Sequence, residues 1–92
     1  MDATAITPGT RVRYVPDAPR RLANGEQPGA LRATAAGVVV PLEAAALAAL
    51  QDIEAWLKGT AWDRPRDPRL VAVKRDDGGY QFATPENLIP DA

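Results

Sequence analysis

The stretch VAVKRDDGGYQFATPENLIP, residues 71–90, carries the clearest structural signal in this chain. Two runs in which apolar and polar residues alternate lie on either side of the turn DDGG at 76–79. Glycine adopts the positive φ angles that tight hairpin turns require, so the pattern predicts strands at Leu70–Arg75 and Tyr80–Ala83 joined as a hairpin. A calcium loop, the alternative for DDGG, needs oxygen ligands spread over about twelve residues, and this segment does not supply them.

Four apolar side chains of this hairpin are predicted to belong to the core. Side chains alternate between the two faces of a strand, so residues two apart share a face. We expect all four to point into one interior: Val71, Val73, Tyr80 and Phe82.

The N-terminal part of the chain predicts one strand and then a long loop. Pro8-Gly9-Thr10 is a turn signal ahead of RVRYV at 11–15, in which Val12 and Tyr14 share one face. The following segment, PDAPRRLANGEQPG at 16–29, contains three prolines and an Asn-Gly turn but no sustained periodicity. It is therefore predicted to be a surface loop.

A second strand is predicted within ALRATAAGVVV at 30–40, where β-branched residues concentrate at the end. Gly37 marks a bend, a bulge or a close approach of two backbones, because it carries no side chain.

The next segment, PLEAAALAALQDIEAWLKG, predicts an amphipathic helix inserted between strands at about 42–58, because its apolar residues recur at helical spacing. Pro41 suits a helix start and Gly59 a C-terminal cap, and Glu54 and Lys58 are spaced for an ion pair. We expect the helix to cover the open side of its own sheet. A dimer interface or a partner groove is the alternative use of its apolar face.

Composition limits the classes of function. Ninety-two residues, of which 46% are apolar and 25% charged, make a single globular domain spanning 1–92. The chain has neither cysteine nor histidine, so disulfides and thiolate metal sites are excluded and the commonest acid–base side chain is missing. We therefore expect no catalytic residue, no metal and no cofactor.

Charge and hydropathy limit the partners in the same way. The net charge of −1 argues against general affinity for nucleic acid, whose binders carry a basic excess. No segment reaches the roughly 18 consecutive apolar residues of a membrane span. We expect a cytoplasmic protein with no membrane partner.

The order of elements and the ending PENLIP resemble Src-homology-3-like barrels. A proline, an asparagine two residues later and two apolar residues resemble the 3₁₀ turn and last strand of that class, here Pro85, Asn87, Leu88 and Ile89. In the peptide-binding members the resemblance implies a shallow groove for extended proline-rich ligands beside Tyr14 and Pro85. Bacterial small barrels, including Tudor-like modules, share the glycine-led first strand and the hairpin, so the resemblance implies fold more than function.

A second resemblance concerns an enzyme. The small plasmid-borne type of dihydrofolate reductase is a homotetrameric barrel whose first strand, GxRVR, is similar to Gly9 to Arg13, and Gln81 with Phe82 resembles its pore-lining strand. That resemblance implies a nicotinamide-dependent reductase, an alternative that requires a tetramer.

Several residues of types that are usual at protein surfaces and interfaces are candidates for contact with a partner. Arg20 and Arg21 could form a patch for a phosphate or an acidic peptide. Trp62 is either an anchor for a partner or a core residue folded beside Trp56, and the second arrangement is favoured. Asp63 and Asp67, among arginines, predict a solvated, salt-bridged loop at 60–69 and not a carboxylate site.

The sequence thus predicts a mainly β protein with one α-helix, a Src-homology-3-like barrel of about five strands. The predicted function is that of a non-catalytic interaction module that binds a protein partner or associates with itself as a homodimer. A nucleic-acid-associated barrel and the reductase are the alternatives. The predicted partner-binding residues are Tyr14, Arg20, Arg21, Trp62, Tyr80 and Pro85.

Overall fold

The computed structural model describes residues 1–91 and contains five strands and two α-helices. Three short 3₁₀ turns accompany them, at Ala3–Ala5, Pro28–Ala30 and Pro85–Asn87. The strands are β1 (Arg11–Tyr14), β2 (Ala35–Val40), β3 (Val71–Arg75), β4 (Tyr80–Ala83) and β5 (Leu88–Pro90). The helices are α1 (Ala18–Ala23) and α2 (Ala44–Leu57). The one-domain prediction includes Ala92, which lies outside the described residues.

The five strands form one antiparallel sheet in the order β4-β3-β2-β1-β5. The sheet curls into a half-barrel, and α2 is the main helix beside it. The predictions of a mainly β fold, of about five strands and of one inserted helix are confirmed. In the part of the chain that the structure describes, no helix has the length and apolarity needed to cross a membrane.

The hairpin between β3 and β4 is confirmed, but the predicted facing of its side chains is wrong. Val73 pairs with Gln81 and Ala72 with Phe82, so Phe82 lies on the face opposite Val73. The reason is the length of the turn. Because the amide of Arg75 donates to the carbonyl of Gly79 (2.8 Å), the turn contains three residues and not four. A shift of one residue moves every side chain of the return strand to the other face.

The concave face of the sheet holds the main hydrophobic core. Its buried members come from all five strands: Val12, Val39, Val73, Ala83 and Leu88. Met1 and Ile6 from the N-terminal segment pack against this cluster, together with Tyr14 and Val71. The N-terminal segment therefore covers the side of the sheet that α2 was predicted to cover.

A second core cluster lies on the other face, at the β5 end of the sheet. It consists of Val15, Ala18, Leu31 and Ile89, with Leu22 packed against it. Ala18 and Leu22 belong to α1, which lies within the segment 16–29. The prediction of an irregular loop there is wrong, because Pro19 stands in the first turn of α1, where a missing N–H costs no hydrogen bond.

Gly37 lies in the middle of β2. Of the three roles predicted for it, a bend, a bulge or a close approach of two backbones, the close approach is confirmed. Pairing with β1 and β3 continues through it without a break in register, so no bulge is present. A Cβ added at Gly37 would lie 2.2 Å from the carbonyl oxygen of Lys74. Glycine is needed because the backbones of β2 and β3 approach too closely for any side chain.

Helix α2 starts at Ala44, two residues later than predicted, because the chain first makes a tight turn. The amide of Glu43 donates to the carbonyl of Pro41 (2.8 Å), and Ala44 has a φ of 47°. Such left-handed backbone costs an L-residue about 1–2 kcal/mol. The far end follows the prediction, with Gly59 at a φ of 80° just beyond the helix.

Helix α2 lies on the face opposite the main core. The groove between its first turn and the sheet is lined by Val40, Lys74 and Tyr80. Lys74 pairs with Tyr80, and both share the outer face with Phe82. The helix contacts β4 and buries Ala46 and Leu50.

Candidate docking surface

Three large apolar side chains are exposed at the far end of α2 and in the segment that follows it. Ile53 is 44% exposed, Trp56 81% and Trp62 71%. We refer to these three exposed residues, Ile53, Trp56 and Trp62, as the tryptophan surface; it has two parts, because Trp62 lines a cleft with residues of α2 that include neither Ile53 nor Trp56. The favoured prediction, that the two tryptophans pack together as core, is wrong, and the alternative of an exposed Trp62 is the arrangement observed.

The exposure follows from where these side chains lie around α2. Ile53 follows Leu50 by three residues and lies about 60° around the helix from it, at the margin of the side that Leu50 buries. Trp56 lies about 120° from Leu50 and so points away from the buried side. Leu57, seven residues after Leu50 and on the same side, is half-buried.

Trp62 is held in place by a compact turn after the helix. The hydroxyl of Thr60 donates to the carbonyl of Leu57, and the amide of Trp62 donates to the same hydroxyl (3.1 Å). The amide of Gly59 donates to the Asp63 carboxylate (3.0 Å). These side chains satisfy backbone groups that a helix end leaves without partners, so Trp62 is presented on an ordered turn.

A shallow cleft of about 420 Å³ lies beside Trp62. Helix α2 and the following turn form its walls, with both charged and apolar groups: Glu54, Ala55, Leu57, Lys58, Trp62, Asp63 and Arg64. The cleft thus presents one aromatic wall and charges of both signs to solvent.

The carboxylate of Glu54, at one side of the cleft, is fixed by an arginine from the next loop. Arg66 donates two hydrogen bonds to it, of 2.9 and 2.5 Å. This bond lowers the pKa of Glu54 and raises that of Arg66. Glu54 was predicted to pair with Lys58, but Arg66 takes its place because a planar guanidinium binds both carboxylate oxygens.

The salt-bridged loop predicted at 60–69 is confirmed. Arg69 bridges Asp67 (3.0 Å) and Glu86 (3.3 Å), while Arg66 reaches back to α2. These arginine hydrogen bonds lower the pKa of Asp67, as they do that of Glu54. Asp67 is therefore held ionised as an anchor of the loop.

Two predicted contact residues lie largely inside the fold. Tyr14 is partly buried against the main core. Pro85 is buried, and its carbonyl accepts a hydrogen bond from the amino group of Met1 (3.0 Å). The N-terminal segment thus occupies the neighbourhood of Pro85.

The two arginines predicted to form a patch, Arg20 and Arg21, differ in their partners and in their exposure. Arg21 makes two hydrogen bonds of 2.6 and 2.7 Å to Glu26, which raises the pKa of the arginine and lowers that of the glutamate. The side chain of Arg20 is 77% exposed and lies 3.7 Å from Asp17. Arg20 is therefore the more exposed of the two, since the side chain of Arg21 is 30% exposed.

Tyr80 lies on the outer face beside α2. The Lys74 ammonium lies 4.5 Å from the centre of its ring, and Phe82 stacks with it at 6.4 Å between ring centres. Tyr80 also lines the groove of about 410 Å³ at the start of α2. It is therefore well placed for contact but separate from the tryptophan surface.

Arg11 and Arg13, which carry the resemblance to the reductase, lie among carboxylates. Arg11 binds Asp76 (2.8 Å) and Asp91 (2.9 Å), and the pKa of Asp76 is lowered as a result. The Nε of Arg13 is buried, donates no hydrogen bond within residues 1–91, and lies 3.8 Å from Asp91. The amide of Gln81 donates to the neighbouring carbonyl of Phe82 (3.4 Å).

Sequence reasoning missed Ile53 and Trp56 as surface residues. Their periodicity marked them as apolar positions on one side of a helix, which is also what a core predicts. The signal that could have separated Trp56 from the core is its position about 120° around the helix from Leu50.

Among residues 1–91, no cluster of three or more aspartate or glutamate side chains is arranged to hold a metal ion. Comparisons with models of known protein families, with curated proteins and with solved structures find no match to this chain.

Proposed function

We propose that this chain is a non-catalytic interaction module that docks on a protein partner through the tryptophan surface. The observation that carries the proposal is the exposure of two tryptophans, 81% at Trp56 and 71% at Trp62, on an ordered helix end. Tryptophan is enriched at the energetic centres of protein interfaces. We also assign the curled sheet to the Src-homology-3-like class, on the basis of its strand order and the PENLIP ending.

The size of the exposed surface supports this role. Trp side chains bury roughly 150–250 Å² each when packed, so two with exposures of 81% and 71% leave on the order of 300 Å² of apolar area in water. At about 25 cal/mol per Å², covering that area contributes on the order of 7 kcal/mol before the entropic cost of association is subtracted.

The carboxylates support a binding role over a catalytic one. Every resolved pKa shift of a carboxyl is downward: an arginine donates to Glu26, Glu54 and Asp76, whereas backbone amides are the main donors to Asp2, Asp77 and Glu86. A general acid needs a carboxyl whose pKa is raised toward neutrality. These groups are suited to holding loops and helix ends in place.

The test is site-specific crosslinking followed by a binding measurement. A photo-crosslinking amino acid placed at position 56 or 62, in cells of the source species, should capture one and the same partner protein. The same amino acid at Ala48, an exposed position in the first half of α2, serves as the control. Purified partner should then bind the double variant Trp56→Ser/Trp62→Ser more weakly by roughly 30-fold or more, the effect of losing a hot spot.

Thermal unfolding of the double variant should match that of the natural chain, since neither tryptophan is in the core. Unchanged affinity in a folded double variant would overturn the proposal, as would capture of identical proteins from positions 56, 62 and 48.

A further inference from the structure

The two edges of the sheet differ in what they offer to another strand. At the β5 edge, Pro90 has no N–H, and the amide of Leu88 donates to the carbonyl of Pro85. Proline and satisfied amides are two of the means by which proteins prevent pairing at a sheet edge. The β5 edge is therefore closed to a further strand.

The β4 edge is open, as the hydrogen-bond pattern of the hairpin shows. In an antiparallel ladder, hydrogen-bonded residue pairs alternate with pairs that are not bonded to each other. The bond from the Arg75 amide to the Gly79 carbonyl makes that pair a bonded one. Val73 and Gln81 are therefore bonded as well, and the backbone N–H and C=O groups of Tyr80 and Phe82 point away from β3.

Helix α2 contacts β4, but the strand's own sequence lacks the residues that usually prevent strand addition. Its sequence, YQFA, contains no charge and no proline, and no bulge interrupts its pairing with β3. Within residues 1–91 no strand lies beyond β4. An uncharged edge with two aromatic residues is a template for pairing.

We infer that β4 pairs with β4 of a second copy of this chain, antiparallel, about a two-fold axis at Gln81. This register places Tyr80 of one copy opposite Phe82 of the other, and the four outward N–H and four outward C=O groups of the two strands make four hydrogen bonds. The Phe82 carbonyl then shares or gives up its long bond of 3.4 Å from the Gln81 side chain. The strand is thus complementary to itself, which an isologous interface requires. The two curled sheets then join into one sheet of ten strands.

The side chains of β4 favour a second copy in the same way. Tyr80 and Phe82 both lie on the outer face and stack on each other at 6.4 Å. Across the axis each tyrosine meets a phenylalanine, and aromatic cross-strand pairs stabilise sheets. Because β4 has no charged residue, the two-fold axis brings no like charges together.

This surface shares no residue with the tryptophan surface, so the inference extends the proposed function but does not depend on docking at Trp56 or Trp62. The test uses charge at the axis. Gln81→Lys and Gln81→Glu each place two like charges opposite each other, whereas an equal mixture of the two variants places lysine opposite glutamate.

Sedimentation equilibrium should give the natural chain a mass twice that of the 9.8 kDa chain. Each single variant should dissociate with a Kd raised by roughly fivefold or more, and the mixture should regain the natural affinity or exceed it. Circular dichroism checks that both variants are folded. A monomeric natural chain at roughly 100 μM, far above the Kd of a modest interface, would overturn the inference. Equal dimerisation of all four samples would also overturn it, by placing the interface elsewhere.

A second variant keeps the test decisive if a charge at position 81 prevents folding. Tyr80→Pro removes an N–H that points away from β3, so the β3–β4 ladder survives, and proline is tolerated at the first residue of a strand. The dimer loses two of its four hydrogen bonds and both tyrosine rings, so Kd should rise about tenfold or more. Dimerisation that Tyr80→Pro leaves unchanged would refute pairing through β4, while partner capture at position 56 would remain unaffected.

Discussion

Both halves of α2 carry apolar residues, but those of the first half are buried and large ones in the second half are exposed to solvent. In the first half, Ala46 and Leu50 are 3% and 5% exposed, whereas in the second half Ile53 and Trp56 are 44% and 81% exposed. Ile53 lies about 60° and Trp56 about 120° around the helix from Leu50, so these two residues are progressively further from the side that the sheet covers. An amphipathic helix can thus be core at one end and binding surface at the other.

The largest expected effect is a difference in the free energy of unfolding between variants in the two halves of α2. Leu50→Ala should lower the free energy of unfolding by about 2–4 kcal/mol, because it leaves a cavity in a packed site. Ile53→Ala removes a side chain of similar size from the exposed half and should cost less than about 1 kcal/mol. Urea denaturation of both variants measures the difference. Equal losses would mean that the second half is covered as well.

A smaller effect, of opposite sign, should appear at the start of the buried half. Ala44→Gly should raise the free energy of unfolding by about 1 kcal/mol, because glycine adopts the φ of 47° without the steric cost that alanine bears. The matched control is Ala45→Gly at the next position, which should lower stability by roughly 0.5–1 kcal/mol, since glycine weakens a regular helix. Destabilisation by both changes would show that the turn into α2 is not strained.

The smallest effect concerns the Glu54–Arg66 pair, which ties the exposed half to the next loop. The pKa of Glu54 is lowered in the folded state, so the pair stabilises the fold above the ordinary pKa of glutamate. That contribution is lost as the pH falls through the lowered pKa. The Glu54→Gln variant should therefore lose less stability than the natural chain on acidification, as measured by urea denaturation from neutral to acid pH.

Glu43→Gln, at the buried end of α2, is the control for this pair, because within residues 1–91 Glu43 belongs to no ion pair. Its acid sensitivity should match that of the natural chain. High salt should reduce the difference between Glu54→Gln and the natural chain, since exposed pairs are screened. A salt-independent difference would point to a role for Glu54 beyond this pair.

Local signals in the sequence predicted the elements well. Alternation with a glycine turn gave the β3–β4 hairpin, and helical spacing ending at Gly59 gave α2. The close approach at Gly37 was also among the expectations. Each of these depends on residues near one another in the chain, where steric and capping rules act directly.

The predictions that were wrong concern properties that residues close together in the sequence do not determine. The facing of Tyr80 and Phe82 depended on one residue of turn length, which the sequence DDGG does not specify. Helix α1 was not predicted, because prolines in its segment are also typical of loops. Its packing on Leu31 and Ile89 is a long-range contact. Trp56 is exposed because it lies about 120° around α2 from Leu50, and which side of the helix packs on the sheet is a long-range property. The candidate site was therefore predictable only in Trp62, and only as the less favoured alternative.

The close approach at Gly37 also sets a rule for anyone who wishes to redesign this protein. Since even a methyl group at that position would meet the backbone of the next strand at 2.2 Å, a larger concave core cannot be built from the centre of β2. Added volume must come from Val39 or from the facing positions on β1 and β3, which share the concave face. A redesign that enlarges the core must therefore keep glycine at position 37, or first separate the backbones of β2 and β3 where Gly37 pairs with Arg75.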